Sequence, residues 1–269
     1  MNTDLLTPIL ERKRAEVEER RVAMPETALH RRPPDWEGRG FRQRLAAARP
    51  GVVNIIAEIK RASPSKGIIR NEVDVGELAC AYERGGAAAL SVLTDEAGFG
   101  GSLEDLVRAR RATGLPVLRK DFVVSQYQVY EAAAYGADAV LLIVRALPGA
   151  MLSDCLGLAG SLGLDALVEV HTEEELGRAT EVGAELIGMN NRDLRTFRVD
   201  TGTALRLAPL LQEWQVGVAE SGIASRSDME PLVALGVRNF LIGETLMRAA
   251  DPGERVRELS TGWATGGEL

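Results

Sequence analysis

A short apolar run that follows a glycine recurs along most of the chain. Such runs, rich in Val, Leu, Ile and Ala, follow Gly86, Gly114, Gly136, Gly163, Gly183 and Gly236. Glycine suits the position just past a helix because it adopts a positive φ without a Cβ penalty. Two further runs, at residues 53–57 and 216–219, bring the predicted strands to eight. Most are apolar on both faces, as strands buried between a barrel interior and outer helices should be.

The segments between these runs have the capping residues of helices. Ser102, Thr172 and Ser225 each stand where a helix N-cap is expected. Eight strand–helix units between residues 53 and 242 predict an α/β fold, a (β/α)8 TIM barrel, as a single domain over residues 1–269. The main alternative, a doubly wound open sheet, is disfavoured because no Gly-x-Gly-x-x-Gly motif follows the first strand.

The two ends of the chain lie outside this repeat. Residues 1–50 predict an N-terminal helical extension, with Thr7 as the N-cap of a helix that ends near Arg21. A second short helix is predicted over residues 41–48. Residues from about 260 to 269 are rich in Gly and Thr and predict a flexible tail.

Composition and charge narrow the classes of function. The chain has 269 residues, 45% of them hydrophobic, and a formal net charge of −7. The longest uninterrupted apolar run, at residues 139–144, is too short to cross a membrane, and the N-terminus has no apolar stretch typical of a signal peptide. The acidic balance disfavours nucleic acid as a partner. The two Cys residues are too few for a disulfide framework. We therefore expect a cytoplasmic protein, as a monomer, with an oligomer left open.

Five predicted strands end in polar side chains that do not suit a barrel core. These side chains are Glu58, Lys60, Lys120, Glu169, Asn190, Glu220 and Ser221. One such residue alone is typical of a solvated surface. In a barrel, however, the C-terminal ends of all strands open into one mouth, and lysines and glutamates arranged together there indicate an acid–base set.

Lysine is scarce in this chain. Of 32 basic residues only four are Lys, at positions 13, 60, 66 and 120. Unlike Arg, Lys has a pKa that its surroundings can tune, so it can donate and accept a proton. The positions of Lys60 and Lys120 at strand ends therefore favour a chemical role, whereas Lys13 is interpreted as chance usage.

The loops after the last two strands predict a phosphate site. Barrels often bind phosphate there through backbone N–H groups. Gly222 and Gly243 permit close backbone approach. The Glu244 carboxylate would repel a phosphate, so its side chain should point away while its N–H contributes. Ser63, in the turn after the first strand, can donate a further hydrogen bond.

Other kinds of site lack the residues they need. His30 and His171 are the only histidines, so neither a His-based triad nor a His-rich metal site is expected. His171 shares a strand face with Glu169 and is interpreted as a polar residue at the lip of the barrel. No Walker loop or dinucleotide fingerprint is present, so no metal and no cofactor are predicted.

Seven motifs together carry a resemblance to a known family. They span residues 57–67, 91–95, 118–122, 168–170, 190–194, 220–223 and 241–244, and include Glu-x-Lys-x-x-Ser-Pro-Ser and Lys-Asp-Phe elements. In this order they resemble the indole-3-glycerol-phosphate synthase family over nearly the whole chain. The resemblance implies ring closure of 1-(2-carboxyphenylamino)-1-deoxyribulose 5-phosphate, with loss of carbon dioxide and water, in tryptophan biosynthesis. It also implies a small phosphorylated substrate as the partner.

The resemblance also implies roles for individual residues. Lys120 is the general acid that protonates the substrate carbonyl, and Glu169 is the acid or base of the dehydration. Lys60, paired with Glu58, holds the substrate carboxylate or serves the dehydration, and these alternatives stay open. Asn190 and Ser221 orient the reacting groups, and Glu220 supports them. The substrate is contacted by Arg192, Phe99 and Phe122, and its phosphate by Ser63, Gly222, Gly243 and Glu244.

One departure and two alternative functions remain. Gly98 stands where the family usually has an aromatic residue, which leaves Phe99 as the aromatic residue of that loop. Another phosphate-sugar barrel, such as an isomerase, would share the phosphate loops but would not need two lysines and two glutamates in one mouth. A non-catalytic scaffold would keep the fold but would not need to retain every proposed acid and base.

Overall fold

The computed structural model describes residues 4–29, 36–47 and 49–263. Eight parallel strands form a closed barrel in which the first strand pairs with both the second and the last. The strands are β1 Asn54–Ile59, β2 Ala89–Leu93, β3 Val117–Lys120, β4 Ala139–Ile143, β5 Asp165–Val170, β6 Leu186–Asn190, β7 Val216–Glu220 and β8 Asn239–Ile242. This confirms the predicted (β/α)8 barrel.

Helices surround the barrel and precede it. The N-terminal extension holds α1 Leu6–Ala23, α2 Glu26–Leu29 and α3 Phe41–Ala46. The helices of the barrel are α4 Val75–Arg84, α5 Glu96–Phe99, α6 Leu103–Ala112, α7 Gln126–Ala134, α8 Met151–Ser161, α9 Glu173–Glu181, α10 Gly202–Leu207, α11 Arg226–Ala234, α12 Glu244–Met247 and α13 Pro252–Ser260. Among the described helices, none combines the length and the apolar character needed to span a membrane.

The alternation of side chains along each strand places the polar groups at the mouth. Successive strand residues point to opposite faces, so residues two apart share a face. Four buried apolar residues of the barrel interior each stand two positions before a polar residue: Ile56, Leu118, Leu167 and Val218. Glu58, Lys120, Glu169 and Glu220 therefore extend the interior face upward, where the apolar packing of the barrel gives way to a cavity.

The N-terminal helix begins earlier than the sequence indicates. It starts at Leu6 and ends at Ala23, so the prediction of Thr7 as its N-cap is wrong. Asp4 caps it instead, because its Oδ1 accepts a hydrogen bond from the Leu6 N–H at 3.0 Å while the Thr7 hydroxyl donates to its Oδ2 at 2.7 Å. The short third helix ends at Ala46, and residue 48 lies outside the described residues.

The structure confirms the N-caps predicted for three other helices. Ser102 accepts a hydrogen bond from the Asp105 N–H at 3.1 Å, and Thr172 accepts one from the Glu175 N–H at 3.2 Å. Ser225 closes a capping box with Asp228. Side-chain caps thus fix where α6, α9 and α11 begin behind their loops.

Two further features differ from the sequence-based picture. The turn after β1 is a short antiparallel hairpin that pairs Ala62–Ser63 with Gly67–Ile68. The tail is anchored at its start: the Trp263 N–H donates to the Gly51 carbonyl at 3.0 Å, and the Arg226 guanidinium stacks 4.4 Å from the Trp263 ring centre. Of the predicted flexible tail, residues 260–263 lie in the described part of the chain and residues 264–269 lie outside it, so the flexibility of the tail stays a prediction.

Candidate active site

The candidate residues converge on one cavity at the C-terminal end of the barrel. The cavity has a volume of about 500 Å³. Every residue proposed from the sequence lines it: Glu58, Lys60, Ser63, Phe99, Lys120, Phe122, Glu169, Asn190, Arg192, Glu220, Ser221, Gly222, Gly243 and Glu244. Residues 186 positions apart in sequence, such as Glu58 and Glu244, thus share one wall because all strands open into the same mouth.

Lys120 lies between two carboxylates. Its Nζ is 3.3 Å from Glu169 Oε2 and 3.7 Å from Glu220 Oε2. Both glutamate side chains are almost completely buried, whereas the Lys120 side chain keeps 15% of its surface exposed to the cavity. Lys120 is therefore the most exposed member of this group, although both glutamates also line the cavity.

The surroundings separate the proton affinities of these three groups. Burial disfavours the charged Lys120, but Glu169, Glu220 and Glu58 outweigh it and raise its pKa above the ordinary value. Burial and the nearby Glu169 raise the pKa of Glu220 to about 8. Burial pushes the pKa of Glu169 upward, but Lys120 and His171 lower it by more. At neutral pH the site therefore holds an acid in Lys120, a base in Glu169 and a neutral carboxyl in Glu220.

A second ion pair stands at the end of β1. Lys60 Nζ lies 2.6 Å from Glu58 Oε1, and both side chains are mostly buried. A Cβ built on Gly243 would overlap the Glu58 carboxylate and come within 2.8 Å of Lys60 Nζ. The pair is therefore packed directly against the backbone of the β8 loop, beside the predicted phosphate site.

The loop after β7, in the predicted phosphate site, has an unusual backbone conformation. Ser221 has a φ of 65° and Gly222 a φ of 74°, so two successive residues are left-handed. Asn191 holds this turn because its Nδ2 donates to the Ser221 carbonyl at 3.0 Å. Glu244 Oε1 accepts a hydrogen bond from Arg248 Nε at 3.0 Å, and both residues line the cavity.

Two aromatic side chains that line the cavity contact each other. The rings of Phe99 and Phe122 lie 6.3 Å apart at an angle of 41°. Phe99 is carried by α5, which begins where Asp95 Oδ1 accepts a hydrogen bond from the Gly98 N–H at 2.7 Å. Arg192, on the β6 loop, is held by hydrogen bonds to the Phe197 carbonyl and to Ser65 Oγ, at 3.0 and 3.2 Å.

Comparison with known proteins identifies the family. The family model of indole-3-glycerol phosphate synthase matches residues 6–259. The chain is 53% identical over 260 residues to the indole-3-glycerol phosphate synthase of Desulfosudis oleivorans, covering 96% of this chain and 99% of that protein. It is 50% identical over 251 residues to the one from Syntrophobacter fumaroxidans, covering 93% and 95%. The chain belongs to the indole-3-glycerol phosphate synthase family.

Two solved structures have the same fold as this chain but little sequence identity to it. The 3-hexulose-6-phosphate synthase of Salmonella typhimurium superimposes with a TM-score of 0.60 at 13% identity, over 77% of this chain and 96% of that one. The thiamine phosphate pyrophosphorylase of Pyrococcus furiosus gives a TM-score of 0.59 at 20% identity, over 77% and 93%. The barrel fold is thus shared with these two proteins.

Sequence reasoning missed Lys13. Its side chain is completely buried, and its Nζ lies 2.7 Å from Asp95 Oδ2 and 3.0 Å from Asp121 Oδ1. Its interpretation as chance usage is therefore wrong. The signal was present, because Lys13 falls with Leu10 and Val17 on the buried stripe of α1. In this family member the extension is thereby joined to the residue that follows Lys120.

Sequence reasoning also placed His171 too far outward. The ring is nearly buried, with Nε2 3.4 Å from Glu169 Oε1 and Nδ1 3.2 Å from Glu175 Oε2. It contacts Glu169 from behind and does not line the cavity. Spacing along β5 put the two residues on one face, but spacing alone could not show which of them reaches the opening.

Proposed function

We propose that the protein is an indole-3-glycerol phosphate synthase, a carboxy-lyase of tryptophan biosynthesis. It converts 1-(2-carboxyphenylamino)-1-deoxyribulose 5-phosphate to indole-3-glycerol phosphate with loss of carbon dioxide and water. Membership of the family supports the reaction. The observation that carries the residue assignment is the placement of the Lys120 ammonium between Glu169 and Glu220 at the mouth of the barrel.

The cavity gives the substrate two distinct ends. The aromatic ring lies against Phe99 and Phe122, because this is the apolar wall of the cavity. The phosphate lies at the loops of Gly222 and Gly243, where backbone N–H groups can be approached closely, with Ser63 as a further donor. The Glu244 side chain takes no part because Arg248 holds it. In this orientation the substrate carbonyl comes to the centre of the mouth.

Ring closure requires a proton at the carbonyl oxygen. Lys120 donates it as the aromatic carbon that bears the carboxylate attacks the carbonyl carbon, so that the carbonyl becomes a hydroxyl. Carbon dioxide then leaves from the attacked ring carbon, and its bonding electrons restore the aromatic ring. Lys120 suits the first step because it remains cationic at neutral pH and is the exposed member of its group.

Dehydration requires a base and an acid. Glu169, the ionised carboxylate, removes a proton from the carbon next to the nitrogen, and the hydroxyl leaves as water after receiving a proton. Lys60 is the second ammonium of the mouth and is available both to the substrate carboxylate and to the departing hydroxyl. Asn190 and Ser221 orient the reacting groups, Arg192 binds the substrate, and the neutral Glu220 supports Lys120 and Glu169.

The proposal extends to the setting of the enzyme. We infer that it acts in the cytoplasm as a monomer, needs no metal or cofactor, and binds neither nucleic acid nor membrane. The net charge of −7 supports the inference about nucleic acid. Size-exclusion chromatography with light scattering tests the monomer, and a mass near twice that of the chain would contradict it.

A fluorescence assay of the purified protein tests the reaction. The substrate is added without metal or cofactor, and formation of the fluorescent indole product is followed. We expect turnover in the wild type and its loss in both Lys120→Ala and Lys120→Arg, since a guanidinium does not release its proton at neutral pH. Substrate binding should be largely retained in Lys120→Arg. Arg111→Ala, on the exposed end of α6, is the matched control and should keep the wild-type rate.

Two outcomes would contradict the proposal. A Lys120→Arg variant with a near-normal rate would remove Lys120 from the acid role. A wild-type protein that binds the substrate without turning it over would leave the fold and the phosphate site but not the chemistry.

A further inference from the structure

A row of charged and titratable side chains leads away from the cavity behind Glu169. Lys120 Nζ lies 3.3 Å from Glu169 Oε2, and Glu169 Oε1 lies 3.4 Å from His171 Nε2. On the other side of the ring, His171 Nδ1 lies 3.2 Å from Glu175 Oε2, and Glu175 Oε1 lies 2.7 Å from Arg145 Nε. The row connects β3, β5, α9 and the turn after β4. Glu169 faces Lys120 with one carboxylate oxygen and His171 with the other.

Both ring nitrogens of His171 face carboxylate oxygens. A neutral imidazole has one donor and one acceptor, so only the doubly protonated ring can donate to both oxygens. His171 Nε2 and Glu169 Oε1 are both buried, and within the described part of the chain neither makes a hydrogen bond, either to the other or to a third group. At a separation of 3.4 Å, a proton on Nε2 places a positive charge against Oε1, whereas without it two lone pairs would face each other in a buried site.

We propose that His171 is a positioning residue for the reaction: it keeps a proton on Nε2 against Glu169 Oε1 and so fixes Glu169 as an ionised base toward Lys120 and the substrate. This inference rests on the proposed function, because it assigns His171 a role through Glu169. His171 does not line the cavity of the candidate active site, so its effect passes through the glutamate.

Glu175 holds the other side of the His171 ring. It is partly buried, but hydrogen bonding from His171 and the charge of Arg145 outweigh burial and lower its pKa to about 2. It also accepts the backbone N–H of His171 at 2.7 Å, which fixes the start of the loop after β5. The ring is thereby held between two negative charges, with Lys120 and Glu220 as the other charged or titratable groups that face Glu169.

A pH profile of turnover distinguishes positioning from mere packing. An opposite charge within about 4–6 Å lowers a carboxyl pKa by about one to three units. Replacing the ring with a neutral amide in His171→Gln should therefore move the acidic limb of the kcat profile upward by about one to three pH units. Each unit lowers kcat about tenfold on the acidic side of the limb. KM should change little, because His171 does not touch the substrate.

Variants of α9 provide the matched comparison. Glu175→Gln removes the charge behind the ring and should shift the limb in the same direction by a smaller amount. Glu174→Gln makes the same chemical change at an exposed neighbouring position of α9, and its pH profile should equal that of the wild type. A His171→Gln variant that turns over with the wild-type limb would overturn the proposal.

Nitrogen-15 NMR of the resting enzyme tests the proton directly and needs no turnover. The chain has two histidines, so the imidazole spectrum is simple, and the signals absent from His171→Gln or from a His171→Ala variant identify His171. We expect both of its ring nitrogens to be protonated at pH 7. A signal from a neutral ring would overturn the inference even if the enzyme is active, whereas an inactive protein with a doubly protonated ring would refute only the proposed function.

Discussion

Lys13→Met is expected to destabilise the protein strongly although Lys13 lies in the extension before the barrel. The Nζ of Lys13 lies 2.7 Å from Asp95, 2.9 Å from Glu16 and 3.0 Å from Asp121, and its side chain is fully buried. Burial alone would lower the pKa of Lys13, but Asp121 and Asp95 raise it by more, so the group is charged as folded. Methionine keeps the apolar stem and removes only the charge.

The size of the effect follows from the carboxylates left behind. Removing one partner of a buried ion pair costs about 3–5 kcal/mol, because the remaining charge stays buried without compensation. Asp95 keeps Arg12 at 2.9 Å and Asp121 keeps Arg119 at 3.1 Å, which places the expected loss at the lower end, near 3 kcal/mol. At about 2–4 °C for each kcal/mol in a chain of this size, Tm should fall by about 6–12 °C.

Unfolding by urea and by heat measures this loss. Arg14→Met makes the same kind of change one residue further along α1, on its exposed face, and should cost less than about 0.5 kcal/mol. A double variant with Asp95→Asn should lose less than the sum of the two single variants, since they share one interaction. Because Asp95 also caps α5, we expect KM to rise in Lys13→Met as Phe99 loses its support.

A loss below about 1 kcal/mol in Lys13→Met would refute this reasoning. It would mean that the three carboxylates are compensated by Arg12 and Arg119 alone, and that the extension is not held to the barrel by this charge.

Two further predictions concern the mouth itself. Gly243→Ala should raise KM about ten- to a hundredfold, because the new Cβ would displace Glu58 and come within 2.8 Å of Lys60 Nζ. Gly177→Ala is the control: a Cβ there meets open space, so steady-state kinetics should not change. Glu220→Gln should remove a pH dependence of stability: the pKa of Glu220 is raised in the folded state from 4.5 to about 8, so the unfolding free energy of the wild type should fall, relative to the variant, as pH rises through this range. The difference should reach up to about 5 kcal/mol in urea titrations at different pH, and parallel curves would contradict it.

Local patterns were sufficient to predict the barrel and the polar side chains at the ends of its strands. The period of two along a strand relates Leu118 to Lys120 and Leu167 to Glu169, so strand ends can be located from the apolar run that precedes them. Caps such as Ser102 and Thr172 can be predicted in the same way, since donor and acceptor are three residues apart. These features depend on neighbours in sequence, and the sequence contains them.

Features that depend on partners distant in sequence could not be predicted. Lys13 meets Asp95 and Asp121 only because α1 packs across the ends of β2 and β3. Trp263 is anchored by the Gly51 carbonyl and by Arg226, both far away along the chain, so its Gly- and Thr-rich surroundings looked like a free tail. Hydrophobic periodicity reports burial, but it does not identify the partner of a buried charge.

The use of lysine in this chain is explained once these partners are known. Lys60, Lys66 and Lys120 line the cavity, and Lys13 is buried behind the aromatic wall, so all four lysines of the chain surround the mouth. An ammonium is a compact charge with three donors, which suits a buried position among the three carboxylates around Lys13, whereas a planar guanidinium is larger and directs its donors in one plane. At Lys120 the same compact group can give up a proton, which a guanidinium cannot. Lysine is thus used for two separate reasons. At Lys13 in the extension the site needs a compact buried charge, and at Lys120 in the barrel it needs a group that can transfer a proton.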